Sequence, residues 1–346
     1  MVNRRSWLDL AAGTGLVVTW SSGFIGAELG TRVAPPDTLL LWRYVAATGL
    51  LAFVLCLVQA RPRRHGLRRH AAIGLLCQGV YVGGVVTGVA LGVPAGTAAL
   101  LAAMQPLVVA VFASRLLGQR TSRVQAAGLI LGLVGVGVVV AGDLGTGGGP
   151  AWIFVLPLVG MLGLSVGTVL ERHWRLSDSL LQSLTVQSAT VTVLLVVEST
   201  LAGHVRPPMT VDFWLAVAWV VGLSTFGGYG CYFLVLRRSG PMRVSTLLYL
   251  TPPCTLLWAA LMLDQPLGPL DYLGTVICAA AVTIVLRRSG ESTRGARRSG
   301  DRAAPPRPDR QPAGRRAGGR PRSARPAPRP PPRRVRRPPA TCRAPR

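Results

Sequence analysis

The chain has 346 residues, half of them apolar and only 15% charged, with a mean hydropathy of +0.42. Soluble domains carry about a quarter charged residues, so the composition argues against an ordinary cytosolic enzyme. The formal charge of +25 is concentrated: residues 287–346 hold 20 arginines against three acids, so an apolar body and a basic tail are read separately.

A bilayer core of about 30 Å takes about 20 mostly apolar residues per helix. Applied along the chain, that length predicts ten spans: 8–27, 38–59, 71–92, 95–115, 122–141, 151–170, 180–202, 212–236, 243–263 and 269–286. Punctuation separates them, at Pro35-Pro36, Arg61-Pro62, Gly147 to Pro150, Pro207-Pro208 and Gly240-Pro241. The first follows Arg4 and Arg5 without a small-residue cleavage site and is read as a retained helix. Only Gly92 and Pro94 divide the third span from the fourth.

Six cysteines show no CxxC and no paired spacing, which argues against a disulfide framework or a zinc site. No HExxH, Walker A or kinase pattern occurs, so neither a metal, a cofactor nor ATP-driven pumping is expected. Gly163-Leu164-Ser165-Val166-Gly167 reads GxSxG. A serine nucleophile needs a histidine within reach, and His65, His70, His173 and His204 all fall in loops or at helix ends of the expected topology. A membrane serine protease is therefore rejected.

Arginine asymmetry sets orientation, because basic residues accumulate in cytoplasmic loops. With the N-terminus inside, the inner segments up to Arg288 hold 17 arginines and the outer ones only Arg32 and Arg206. A wrong span count would scramble that alternation. Both termini are expected to be cytoplasmic.

The body also matches itself. At an offset of 146 residues, 98–132 lies over 244–278 without a gap, placing Pro106 on Pro252, Gln119 on Gln265 and Gly128 on Gly274. The charge of the matched loop inverts, with Arg115, Arg120 and Arg123 in one copy and Asp264 and Asp271 in the other. Five spans per half require opposite orientations, the inverted-repeat pattern of secondary transporters, whose solute site lies near the midplane between halves.

Trp20-Ser21-Ser22-Gly23-Phe24, Arg43, the stretch from Ala98 to Pro106 and the Gly118-Gln119-Arg120 to Gly128 ending resemble the drug/metabolite transporter superfamily in its EamA branch. The similarity covers about 8–288. It departs from the family at Gln119 and Gln265, where a glutamate is usual, which weakens a proton-carrying role for those positions. The resemblance implies an all-α membrane protein with ten transmembrane helices as a 5+5 inverted repeat, residues 1–141 and 151–288, in a bacterial cytoplasmic membrane. It further implies export of a small metabolite, such as an amino acid, or of a drug-like solute, by alternating access. The other class considered is a membrane scaffold or sensor with a basic lipid- or nucleic-acid-binding tail; pseudo-symmetric halves speak against it.

Ionisable residues inside a membrane are functional candidates by default. Arg43 reads as an anion-attracting group at the outer cavity mouth or a partner for Glu28 or Asp37, or else as a snorkelling interfacial arginine. Trp20, Ser21, Ser22, Gln78, Tyr81, Thr87, Gln105, Gln187, Tyr229, Tyr232, Tyr249, Thr251 and Trp258 are the polar and aromatic cavity candidates. Each also has a packing explanation. Tyr249 and Thr251 stand apart because they precede Pro252 and Pro253, as Gln105 precedes Pro106: a proline breaks a helix, and a broken helix at a repeat interface is a recurrent binding device. The small-residue series Gly84, Gly88, Gly92 and the pair Gly128, Gly132 suit close helix packing. From Ser289 the Arg/Pro-rich tail, 289–346, cannot bury a core and is expected to be disordered, held against anionic lipid or serving no function. The expected partners are a small-molecule solute and the bilayer; the sequence is also compatible with a homodimer.

Overall fold

Inside a bilayer every backbone group must be satisfied within the protein, which leaves helices as the economical element for such a chain. The computed structural model describes residues 4–59, 66–116, 123–145, 150–174, 178–239, 244, 247–265 and 267–281, and no strand occurs among them. All of these fall in one unit, Met1–Arg297.

The helices are α1 (Arg4–Thr31), α2 (Pro36–Leu57), α3 (Leu67–Ala90), α4 in two segments (Ala95–Ala103 and Gln105–Leu116), and α5 (Arg123–Gly145). They continue with α6 (Ala151–Trp174), α7 (Leu180–Ala202), α8 (211–239), α9 (Thr251–Leu263) and α10 (Pro269–Ala281). Six of them, α1, α2, α3, α6, α7 and α8, are long and apolar enough to cross a membrane; the others contain shorter apolar stretches. The chain is a multi-pass membrane protein.

Local chemistry sets the boundaries. Gly92 takes φ +108 and Pro94 caps the next helix, so the weakly marked division between the third and fourth expected spans is a real turn. Ser179 and Gln182 form a reciprocal capping box at the start of α7. Gly203, at φ 76, closes the same helix, with the His204 N–H on the Ser199 carbonyl at 2.8 Å. Hydroxyls inside helices satisfy themselves on the preceding turn, as Thr168 does on Leu164 at 2.7 Å and Thr192 on Ser188 at 2.8 Å.

Helix α1 lies at the centre, packed on α3, α4, α8 and α9, while α2 packs on α7 and α3 on α6. Glycine makes the α3–α6 contact possible. A Cβ on Gly84 would stand 2.5 Å from the Leu156 carbonyl oxygen, and one on Gly88 would stand 2.9 Å from Pro157. From the other side, Gly160, Gly163 and Gly167 face Tyr81, Val80 and Cys77 of α3. Two glycines of the GxSxG sequence are thus packing residues, and the Ser165 hydroxyl donates to the Met161 carbonyl at 2.7 Å in its own helix.

His70 stands at a helix end, as expected, but inside the first turn rather than before it. Helix α3 begins at Leu67, so His70 is helical and 4% exposed. Its Nε2 lies 2.9 Å from Asp178 Oδ2 and its Nδ1 3.0 Å from the Ser183 hydroxyl.

Candidate substrate cavity

Two helices break at matched places. In α4, Met104 (φ −73, ψ −11) donates its N–H to the Leu101 carbonyl at 3.2 Å, and a new segment starts at Gln105. Before α9, Leu250 (φ −81, ψ −6) donates to the Leu247 carbonyl at 2.9 Å, and the helix starts at Thr251. Pro106, Pro252 and Pro253 therefore sit in first turns, where a missing N–H forfeits no intrahelical bond. The prolines mark restarts rather than kinks in continuous helices. Pro106 lines the cavity described next, Pro252 is buried and Pro253 is exposed.

Both restarts open on one cavity of about 330 Å³. Trp20 and Phe24 of α1, Tyr81 of α3, Gln105 and Val109 of α4, Leu164, Thr168 and Arg172 of α6, Tyr232 of α8, and Leu248, Tyr249 and Thr251 wall it. Gln105 donates its amide to the Thr168 hydroxyl at 3.1 Å. The Tyr249 hydroxyl and Thr251 Oγ1 are buried with no hydrogen-bond partner among the described residues. Buried polar atoms are normally paired, and one left alone costs about 1–3 kcal/mol. Both residues line the cavity, with these two hydroxyls buried in its wall.

A second cavity of about 100 Å³ shares Trp20, Phe24, Tyr81 and Leu164 with the first and adds Arg43, Cys77, Ser224 and Tyr229. Trp20 joins the aromatic wall: its ring lies 5.9 Å from Tyr229, edge to face at 73°, and 6.0 Å from Tyr232. Helices α3 and α8 each loosen into a π turn at this level, Leu75–Val80 and Val220–Gly227. Such turns recur at functional sites. The two π turns begin 145 residues apart and place Cys77 and Ser224 on the wall. The Thr225 hydroxyl donates to the Val220 carbonyl at 3.0 Å and accepts from Arg43 Nη2 at 3.4 Å. The Arg43 guanidinium also stands 5.7 Å from the centre of the Tyr44 ring.

The structure thus brings Trp20, Arg43, Tyr81, Gln105, Tyr229, Tyr232, Tyr249 and Thr251 to two adjoining cavities, and corrects several other expectations. Arg43 pairs with neither Glu28 nor Asp37: Glu28 bonds Arg32 at 3.2 Å, and Asp37 faces His204 at 2.9 Å. Ser22 is buried away from the cavities, its hydroxyl on the Thr19 carbonyl at 2.6 Å, because an isolated helical serine turns to the backbone. Trp258 lines neither cavity; it packs on Trp219, 5.9 Å between rings. Gln187 is buried between helices, accepting from the Gln78 amide at 3.1 Å and donating to Ser183 at 2.9 Å. Gln78 and Thr87 line a separate crevice between α2, α3 and α7. Gly118, Gln119, Arg120, the end of the tenth expected span from 282 and the tail, 289–346, lie outside the described residues.

Three residues escaped the sequence reading. Thr168 and Arg172 lie on the cavity wall one and two turns beyond Leu164, on a helix whose apolar stretch gives no facing signal. Asp143 is 8% exposed near the end of α5, with the Thr97 hydroxyl donating to it at 2.7 Å. A lone acid near a span end gave no sequence cue to its partner.

The EamA-like transporter family matches the chain twice, over residues 8–141 and 151–287. The chain is 26% identical over 272 residues to "Uncharacterized inner membrane transporter YedA" of Escherichia coli (strain K12), covering 78% of this chain and 88% of that one. It is 26% identical to the "Probable amino-acid metabolite efflux pump" of the same organism, covering 78% and 91%. To the "Probable terminal-alkyne amino-acid exporter" of Streptantibioticus cattleyicolor it is 28% identical, covering 79% and 91%. One crystal structure shares the fold, with a TM-score of 0.57 at 21% identity over 82% of this chain and 98% of the other.

Proposed function

We propose, since the chain belongs to the EamA-like transporter family, that it exports a small, partly apolar solute through the cavity between Trp20 and Thr251. The names of its relatives point to an amino acid or a similar metabolite as that solute. The observation that carries this reading is the pair of helix restarts 146 residues apart, at Gln105 and Thr251, both on one cavity wall. Matched breaks facing one site are what an inverted repeat produces. We read residues 1–141 and 151–288 as two five-helix halves, inserted in opposite senses in a bacterial plasma membrane with both termini inside.

That orientation assigns a state to the cavity. From Leu164 to Arg172 α6 rises about 12 Å, toward the end the arginine count places in the cytoplasm, and Arg172 is exposed. Beyond Phe24 the outer side is closed by Ile25, Leu39, Val93, Ala95 and Ala98, all 0–1% exposed. We read this as the inward-open conformation; rocking of the halves about α1 and α9 would expose the same wall outside. The basic tail would lie on anionic inner-leaflet lipid.

Solute uptake into inverted membrane vesicles tests the reading, with an amino-acid and amphiphile panel run with and without a proton gradient. Saturable uptake that is lost in Tyr249→Ala and Thr251→Ala, at unchanged protein level, supports it. Saturable uptake indifferent to both substitutions moves the site elsewhere. No uptake of any solute transfers weight to a membrane scaffold.

A further inference from the structure

We infer that the smaller cavity is a carboxylate seat with Arg43 as its binding group, so that the transported solute is an organic monocarboxylate. The inference rests on the transport reading above and adds a chemical class to it. Arg43 is the eighth residue of α2, about 10 Å along the helix from Pro36, well within a core of about 30 Å. Its contacts are a threonine hydroxyl at 3.4 Å and a tyrosine ring. The four ion pairs among the described residues all lie elsewhere, and no aspartate or glutamate is among the residues lining either cavity. A guanidinium inside the membrane without a counter-anion is costly, and a solute that brings one negative charge removes that cost only while it is bound.

Geometry narrows the anion. Arginine presents a planar fork that fits a carboxylate with two parallel hydrogen bonds. The Thr225 contact involves one terminal nitrogen, Nη2. About 100 Å³ holds such a head group and little more, so the apolar remainder extends past the shared Trp20 and Tyr81 into the 330 Å³ cavity. One cation balances a monoanion, whereas a divalent phosphate would carry unbalanced charge into the same place. Arg172 does not compete for the role, because it is exposed at the open end and stays hydrated. An amine on the solute finds no aspartate or glutamate among the lining residues, so the site gives the acid an ionic partner and the amine none.

The test uses the purified full-length protein in detergent and in proteoliposomes. The probes are acids from propionate to 3-phenylpropionate and indole-3-acetate, their primary amides, phenylalanine, phenylalaninamide and inorganic phosphate. Binding is read by thermal shift and by competition for flux. The expected result is that at least one acid binds about tenfold more tightly than its amide, that phenylalanine and 3-phenylpropionate compare closely, and that phosphate is not bound. Arg43→Gln removes the preference for acid over amide, Arg43→Lys keeps part of it, and Arg32→Gln, at an exposed arginine that lines neither cavity, leaves it intact. Size-exclusion profiles confirm that the variants are folded. Equal binding of acid and amide, no binding of any acid, or an acid preference that survives Arg43→Gln overturns the assignment. Flux of amides that equals flux of acids would sink the carboxylate seat while leaving transport standing; absence of all flux would sink both.

Discussion

The hydroxyl of Ser21 on α1 donates to the main-chain carbonyl of Thr251, 3.3 Å away and 230 residues further along the chain. Both residues are buried, at 0% and 5% exposure. The bond ties the central helix to the point where α9 restarts, and that carbonyl also accepts from the Thr255 hydroxyl at 2.9 Å. Replacing Ser21 by alanine leaves the carbonyl its bonds within α9 and removes the tie to α1. The expected loss is about 1 kcal/mol of stability, with a roughly fivefold fall in apparent solute affinity as the restart loosens. Thermal unfolding in detergent and vesicle uptake measure the two; unchanged affinity would separate this tie from the cavity.

Tyr249→Phe is expected to move stability and function in opposite directions. The hydroxyl is buried without a partner among the described residues, so its removal relieves a desolvated group and raises stability by about 1 kcal/mol. If the hydroxyl bonds the solute, apparent affinity falls at the same time, a trade seen where sites hold unsatisfied groups. A melting temperature that drops would mean the hydroxyl has a structural partner.

The α3–α6 crossing predicts a sharp contrast between neighbours. A Cβ at Gly84 meets the Leu156 carbonyl at 2.5 Å and Gly160 Cα at 3.3 Å, whereas one at Gly83 meets nothing within 4 Å. Gly84→Ala should cost about 1–3 kcal/mol by forcing the helices apart, and Gly83→Ala should be neutral or slightly stabilising. Melting temperatures of the two purified variants check this, and equal values would refute the close packing.

His70 and Asp178 are a buried polar pair, with side chains 5% and 6% exposed. Asp178→Ala strips the acceptor from a buried histidine and is expected to cost about 3 kcal/mol. The double substitution His70→Leu with Asp178→Leu should recover part of that loss, since it removes both members of the pair and leaves only the Ser183 hydroxyl without its bond to His70. A double-mutant cycle on unfolding supplies the number; additive losses would mean that the two side chains are not coupled.

Ser165→Ala should leave transport unchanged, and the wild-type protein should not react with a fluorophosphonate. Its hydroxyl is spent on the Met161 carbonyl and is 0% exposed. Labelling at Ser165 would reopen the hydrolase reading.

Much of this was legible in the residues. The length and spacing of the apolar segments depend only on hydropathy, and Pro106 and Pro252 mark backbone breaks whatever surrounds them. The aromatic and amide residues Trp20, Tyr81, Gln105 and Tyr249 were legible as cavity residues because few other groups are out of place in hydrocarbon. Ser22 and Trp258 failed the same reasoning for a physical reason. In a helix apolar on every side no stripe identifies the inward face, so a serine one residue from Ser21 looks equivalent and turns instead to its own backbone. The third span starts at Leu67 rather than at 71, because Arg68 and Arg69, which read as loop, are the exposed start of α3.

By itself the sequence determined the membrane class, the succession of apolar segments and the two break points, because these follow from local hydropathy and backbone chemistry. Only the tertiary structure decided which side chains share a cavity, that no acid among the described residues pairs with Arg43, that Arg172 joins the wall, and that Asp178 faces His70. Those relations link residues 100 or more positions apart, or faces of a uniformly apolar helix. They are set by how glycine-lined surfaces let the helices approach, which no local pattern encodes.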